Sequence, residues 1–153
     1  VADRLNLVDE TRLPDGGWLC LHRVNKMDRV PKSCIKVAMH GLLHAGELKK
    51  RGIYMAGADQ LVHYFAKRRL FFRMDKPDEL VLNKPGRRMT DVFFPQEYFH
   101  VGLPVLLESL ATLGAGKAEE FEDAWKLLED KKTHAEQESF NHGWSRSGRL
   151  PHC

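Results

Sequence analysis

Cys20, His22, Cys34, His40 and His44 are the best metal candidate in this 153-residue chain. Zinc takes three or four sulfur and nitrogen ligands in a tetrahedron, and His40 and His44 stand on one face of any helix that carries them. Cys34 and His44 are ten positions apart, about 15 Å along a straight helix, so those two cannot share an ion. The zinc set that remains is Cys20, His22 and Cys34, with the first two in a loop. Free cysteine behaves more often as a small buried hydrophobe, and that reading is preferred.

A second group is aromatic. Trp18, Phe94 and Tyr98 can line an apolar cavity and steady a cation against their ring faces, although aromatics at helical spacing more often pack a core. His100, next to Tyr98 and Glu97, has an imidazole able to exchange protons near neutrality; a surface or capping role is the plainer one. Asp15 lies in Pro14-Asp15-Gly16-Gly17-Trp18, where proline presets φ and the glycines admit a tight turn. It is expected to cap its own turn, while Trp18 packs. Asn141-His142-Gly143-Trp144 repeats this punctuation more weakly near the other end of the chain.

Composition sets the frame for these groups. With 42% apolar and 29% charged residues the chain reads as one globular domain with a core of its own. Basic residues number 24 against 21 acidic, a net charge of +3, which leaves no polyanion footprint. The cations Lys67-Arg68-Arg69, Arg73 and Lys84 to Arg88 read as a solvated flank with no nucleic-acid reading motif. Cys20, Cys34 and Cys153 are too few, and odd in number, for a secreted disulfide framework, which points to a reducing, cytoplasmic setting. No apolar run is long enough for a membrane span, and no secretory leader is read at the start. The opening Val1-Ala2-Asp3 lacks methionine, which fits processing of the start as well as a piece of a longer protein.

The elements that must position these residues are helical. Ile35, Ala38, Met39, Leu42 and Leu43 recur at helical spacing after Ser33, a natural N-cap, and Lys49-Lys50-Arg51-Gly52 supplies a cationic last turn and a terminal glycine. A second helix is expected from about Met55 to Leu70, burying Ala58, Leu61, Val62, Phe65 and Ala66. Residues 71–95 follow as a long connection, broken by Pro77, Pro85 and Gly86 and pinned at its ends by Phe71-Phe72 and Phe93-Phe94. A Leu-rich third helix begins at Pro104 and stops at Gly114. The fourth runs from about Lys117 to Lys132, with Phe121, Ala124, Trp125 and Leu128 inward. Residues 19–32 read as a loop, and only Leu80-Val81-Leu82 hints at a strand. The fold class is all-α, two helical hairpins joined by a long loop.

The order of these elements resembles a known superfamily. DGGW-x-C leads into Ser33-Cys34 at a helix start, the first hairpin ends in KRRLFFR, and FFPQEY precedes the Leu-rich helix. EDAWKLLEDK and a closing HGW complete the series. Over roughly residues 13–144 this is similar to the terpenoid cyclase/protein prenyltransferase superfamily, and within it to small squalene-cyclase-like bacterial proteins of unassigned activity. The resemblance implies helical hairpins of an α/α toroid, with the first and third helices inner and the second and fourth outer. It also implies a partial ring, since a complete toroid holds more helices, and a partial ring leaves apolar flanks that favour association with a second copy or with the missing remainder.

The family's catalytic groups do not carry over. No Asp-rich run of the D-x-D-D type occurs, Asp15 and Cys20 are too far apart for the Asp-x-Cys zinc pair, and Lys32 stands where the zinc histidine is expected. The small bacterial members often show an Asp shortly after the FP-x-x-Y stretch, where this chain has His100-Val101-Gly102. Two functions follow as expectations. One is a prenyltransferase- or terpene-cyclase-like domain holding an apolar or isoprenoid ligand. The other is a non-catalytic helical module that associates through its open edge.

Overall fold

The computed structural model describes residues 10–20, 33–84, 87–88 and 101–141, with backbone alone at 83, 84, 87, 88 and 132–141. Four α-helices lie among these: α1 (Ile35–Lys50), α2 (Ala58–Ala66), α3 (Leu103–Thr112) and α4 (Glu122–Asn141). A 3-10 turn over Glu119–Phe121 leads into α4, and a short antiparallel pair, β1 (Leu82–Lys84) and β2 (Arg87–Arg88), sits in the connection. The described part is therefore helical, as the periodicity indicates.

α1 forms where the apolar spacing places it, and Ile35, Ala38, Met39, Leu42, Ala45 and Gly46 are its buried stripe. It packs on both α2 and α3, and α3 packs on α4. The approach to α3 is close because Gly46 meets Ser109: a Cβ built on Gly46 would stand 3.0 Å from the Ser109 Cβ and Oγ. Ser109 is buried in that contact, and its hydroxyl donates back to the Val105 carbonyl at 2.8 Å, so no bare polar group enters the core. Leu103, Leu106, Leu107 and Leu110 fill both flanks of α3, and Phe65 of α2 and Phe121 before α4 are fully buried in the same core.

Three helices end in one hydrogen-bond pattern, the paired bonds of a Schellman motif. In α1 the amides of Gly52 and Ile53 donate to Lys49 and Leu48; in α3 those of Gly114 and Ala115 donate to Ala111 and Leu110. Both motifs set a glycine in the left-handed region, which is why the sequence shows these two ends plainly. After α2 the amides of Arg69 and Leu70 donate to Ala66 and Phe65 in the same way, but the left-handed position is Arg69, at φ 43°, followed by Leu70 at φ 71°. Such conformations are costly for residues with a Cβ, and tertiary contacts hold them. The Arg69 guanidinium bonds Asp123 at 2.9 Å and the Pro77 carbonyl at 2.8 Å and lies 4.0 Å over the Phe72 ring, while Leu70 is fully buried.

This corrects the second helix, expected over Met55 to Leu70: it spans Ala58–Ala66, and residues 67–71 are turn. The fourth helix also shifts, beginning later than Lys117 and continuing past Lys132 to Asn141. Pro104 occupies the first turn of α3, as proline favours. The described part of the long connection carries backbone pairing. Phe71 is buried in the core, Phe72 pairs with Leu80 across an isolated bridge, and β1 runs against β2 with Leu82 opposite Arg88. Phe93 and Phe94 lie outside the described residues.

Candidate functional site at the head of α1

The turn before Trp18 is closed by its own backbone. The Leu13 amide donates to the Gly17 carbonyl at 2.7 Å, and the Gly16 amide to the Leu13 carbonyl at 2.9 Å. Asp15 is therefore not needed to cap its own turn, and the structure uses it elsewhere. Its Oδ2 accepts the Ser33 amide at 2.9 Å and its Oδ1 accepts the Ser33 hydroxyl. The N-cap of α1 is Cys34, without a side-chain cap bond, so the expected Ser33 cap is replaced by a carboxylate reaching in from residue 15. An anion at a helix N-terminus is favoured by the helix dipole as well as by the bonds themselves. Beside it the Cys34 amide donates to the Trp18 carbonyl at 2.8 Å.

Trp18 packs, as its type leads one to expect. It is 9% exposed, and its ring lies against Gly41 of α1 so closely that a Cβ there would stand 2.2 Å from the ring carbon Cζ3. The Arg12 guanidinium sits over the indole, 4.5 Å from its ring centroid, a cation–π contact. Arg12 also donates to the carbonyls of Gly16 at 3.1 Å and Ala56 at 2.8 Å. One side chain thus ties the turn, the indole and the approach to α2.

Under this turn lies a pair that sequence reasoning missed. Tyr64 of α2 and Arg68 of the turn that follows it are 2% and 8% exposed. The Arg68 guanidinium lies 4.5 Å from the Tyr64 ring centroid, and the Phe65 ring meets Tyr64 edge-on at 5.1 Å. Neither the Tyr64 hydroxyl nor Arg68 Nε has a hydrogen-bond partner among the described residues. Arg68 was expected on the solvated basic flank with Lys67 and Arg69. It is instead inside, because it directly precedes the residues at which α2 turns back into the core. The available signal was a tyrosine and an arginine four apart beside the apolar stripe of Leu61 and Phe65.

Burial pushes the Tyr64 phenol up to about 12, with Arg68 opposing and Asp15 and Cys34 adding to the rise. It pulls the Arg68 guanidinium down, with Tyr64, Asp15 and Asp75 opposing. The raised phenol makes stability depend on pH. The folded protein keeps the Tyr64 proton more tightly than the unfolded chain, whose value is 10.0. This stabilisation is whole below that value and is lost as pH climbs from about 10 through about 12. Urea unfolding at a series of alkaline pH values should show this fall, and Tyr64→Phe should flatten it. An identical alkaline profile in the variant would show that Tyr64 is not the group responsible.

The remaining candidates separate. Cys20 and Cys34 are half-buried free thiols, and His40 and His44 are exposed on α1. His22, Phe94, Tyr98 and His100 lie outside the described residues, so the zinc set Cys20, His22 and Cys34 is placed only in part. Among the described residues no three His, Cys, Asp or Glu side chains gather as metal ligands, and no helix is long and apolar enough to cross a membrane. Trp125, half-buried, donates from Nε1 to the Gly116 carbonyl at 2.8 Å and braces the turn before α4. No protein-family model, curated protein or solved structure matches the chain.

Proposed function

We propose that this chain is a unit of a prenyltransferase- or terpene-cyclase-like α/α fold and works in the cytoplasm as a helical association module, without cyclase or transferase chemistry of its own. The observation that carries the reading is the packing order. α1 meets its hairpin partner α2 and also α3, the first helix of the next hairpin, while α3 meets α4. Neighbouring α/α repeats pack in this way, first helix on first helix. Asp15 argues for association over chemistry. Both its oxygens are engaged by Ser33, so the acid on the glycine turn serves to hold the head of α1.

The partner is a second copy of the chain or the remainder of the ring. Ile53, Tyr54, Met74 and Leu82 are large apolar residues left between 40% and 61% exposed, and association would cover residues of this kind. Light scattering across a concentration series should give a mass above that of one chain. A single-chain mass at the highest soluble concentration would count against self-association. Saturable binding of a fluorescent farnesol analogue by that single chain would favour an apolar-ligand domain instead.

A further inference from the structure

His40 and His44 stand four positions apart in the middle of α1, and both are exposed. One α-helical turn carries them to the same face, about 6 Å apart along the axis, with Cβ atoms about 5–6 Å apart. The buried stripe of α1, from Ile35 to Gly46, lies on the opposite side, so both rings reach solvent. Neither histidine takes part in a hydrogen bond or an ion pair among the described residues. The rings are therefore free to choose rotamers without breaking a contact of the fold.

We propose that His40 and His44 form a two-imidazole binding site for a divalent transition-metal ion of the zinc class. Imidazole nitrogen suits zinc, copper and nickel, and histidines at i and i+4 of one helix are a spacing that holds zinc. Each ring nitrogen stands about 2 Å from the ion, and two rings rooted one turn apart can close on it from the same side. Charges along this face oppose each other. Lys36, one turn before His40, repels a cation, and Glu47, after His44, attracts it. Glu47 is already held by Lys50 at 2.9 Å, and no third His, Cys, Asp or Glu joins the pair among the described residues. Two ligands fill half of a tetrahedral shell, so water or an incoming donor completes it. Because the spacing exists only in the folded helix, the ion stabilises the native chain by mass action.

Zinc chloride is the probe, titrated by calorimetry into the whole chain without a histidine tag, with thermal unfolding followed in its presence and absence. The wild type is compared with His40→Ala, His44→Ala and the double variant, so that zinc taken up elsewhere, by Cys20, His22 and Cys34 included, cancels in the difference. Without zinc the variants should unfold at the wild-type temperature or above it, since both positions are exposed and alanine favours a helix interior. With zinc the wild type should gain stability that all three variants lack. Each single substitution should weaken this binding by at least about tenfold, since removing even an outer-shell partner of a metal ligand costs that much. The double variant should lose little more than either single one, because the two rings act as one chelate. Three results would overturn the proposal: equal zinc affinity and stabilisation in the wild type and the double variant; a loss on removing one histidine but not the other, which would mean a single-imidazole contact; or independent, additive losses from the two.

Discussion

Gly41→Ala should destabilise the protein by about 1–3 kcal/mol, against the ordinary preference of a helix interior for alanine, which would gain roughly 1 kcal/mol. The sign is set by Trp18. A Cβ at position 41 would lie 2.2 Å from Cζ3 and 2.8 Å from Cη2 of the indole, and these atoms belong to a rigid ring that cannot bend away. The ring has little room to move as a body, since Trp18 is 9% exposed and Arg12 lies over it, 4.5 Å from the ring centroid. Urea unfolding followed by tryptophan fluorescence measures the change. In a double-mutant cycle with Trp18→Leu the two substitutions should be strongly non-additive, the smaller side chain relieving the clash. A Gly41→Ala protein as stable as the wild type would show that Trp18 does not seat on α1.

The second large effect is expected at Asp15. Asp15→Ala should cost about 1–2 kcal/mol, the range for loss of a helix-capping side chain, although residue 15 lies outside the helix it serves. It removes the acceptor of the Ser33 amide at 2.9 Å and of the Ser33 hydroxyl, and with them an anion near the positive end of α1. Asp15→Asn, which retains one acceptor oxygen and no charge, should fall between the two. Ser33→Ala loses the hydroxyl bond alone and should cost less than Asp15→Ala, with a coupling between the two sites in the cycle. If Asp15→Ala left stability unchanged, the carboxylate would be a surface group and the proposed reason for its engagement would fail. The same measurement bears on function. An acid held in two structural bonds is valued for stability, so its loss should appear in the unfolding curve before it appears in any assay.

Helix ends show how far local chemistry reaches in this chain. α1 and α3 stop where glycine follows a periodic run, because Gly52 and Gly114 enter the left-handed region without a Cβ clash. α2 stops by the same hydrogen-bond pattern, yet Arg69 and Leu70 fill the left-handed positions. Nothing in the run Lys67-Arg68-Arg69-Leu70 announces that end. Asp123, Pro77 and Phe72, which fix Arg69, come from residues distant in sequence or from the turn itself, and their contribution exists only once the chain has folded.

The sequence by itself determined the helical class, the apolar stripe of α1, the buried Ala58, Leu61 and Phe65 of α2 and Leu106, Leu107 and Leu110 of α3, the packing role of Trp18 and the turn that carries it. Each of these rests on spacing or on the conformational range of one residue, and both are local properties. Only the tertiary structure decided that Asp15 serves Ser33, that Gly41 is the seat of the indole, and that Arg68 lies inside against Tyr64. Those outcomes depend on which surfaces meet when α1 packs on α2 and α3. A carboxylate, a glycine or an arginine reads alike in sequence whether its neighbour is water or a ring, and the difference between those neighbours is what sets its role.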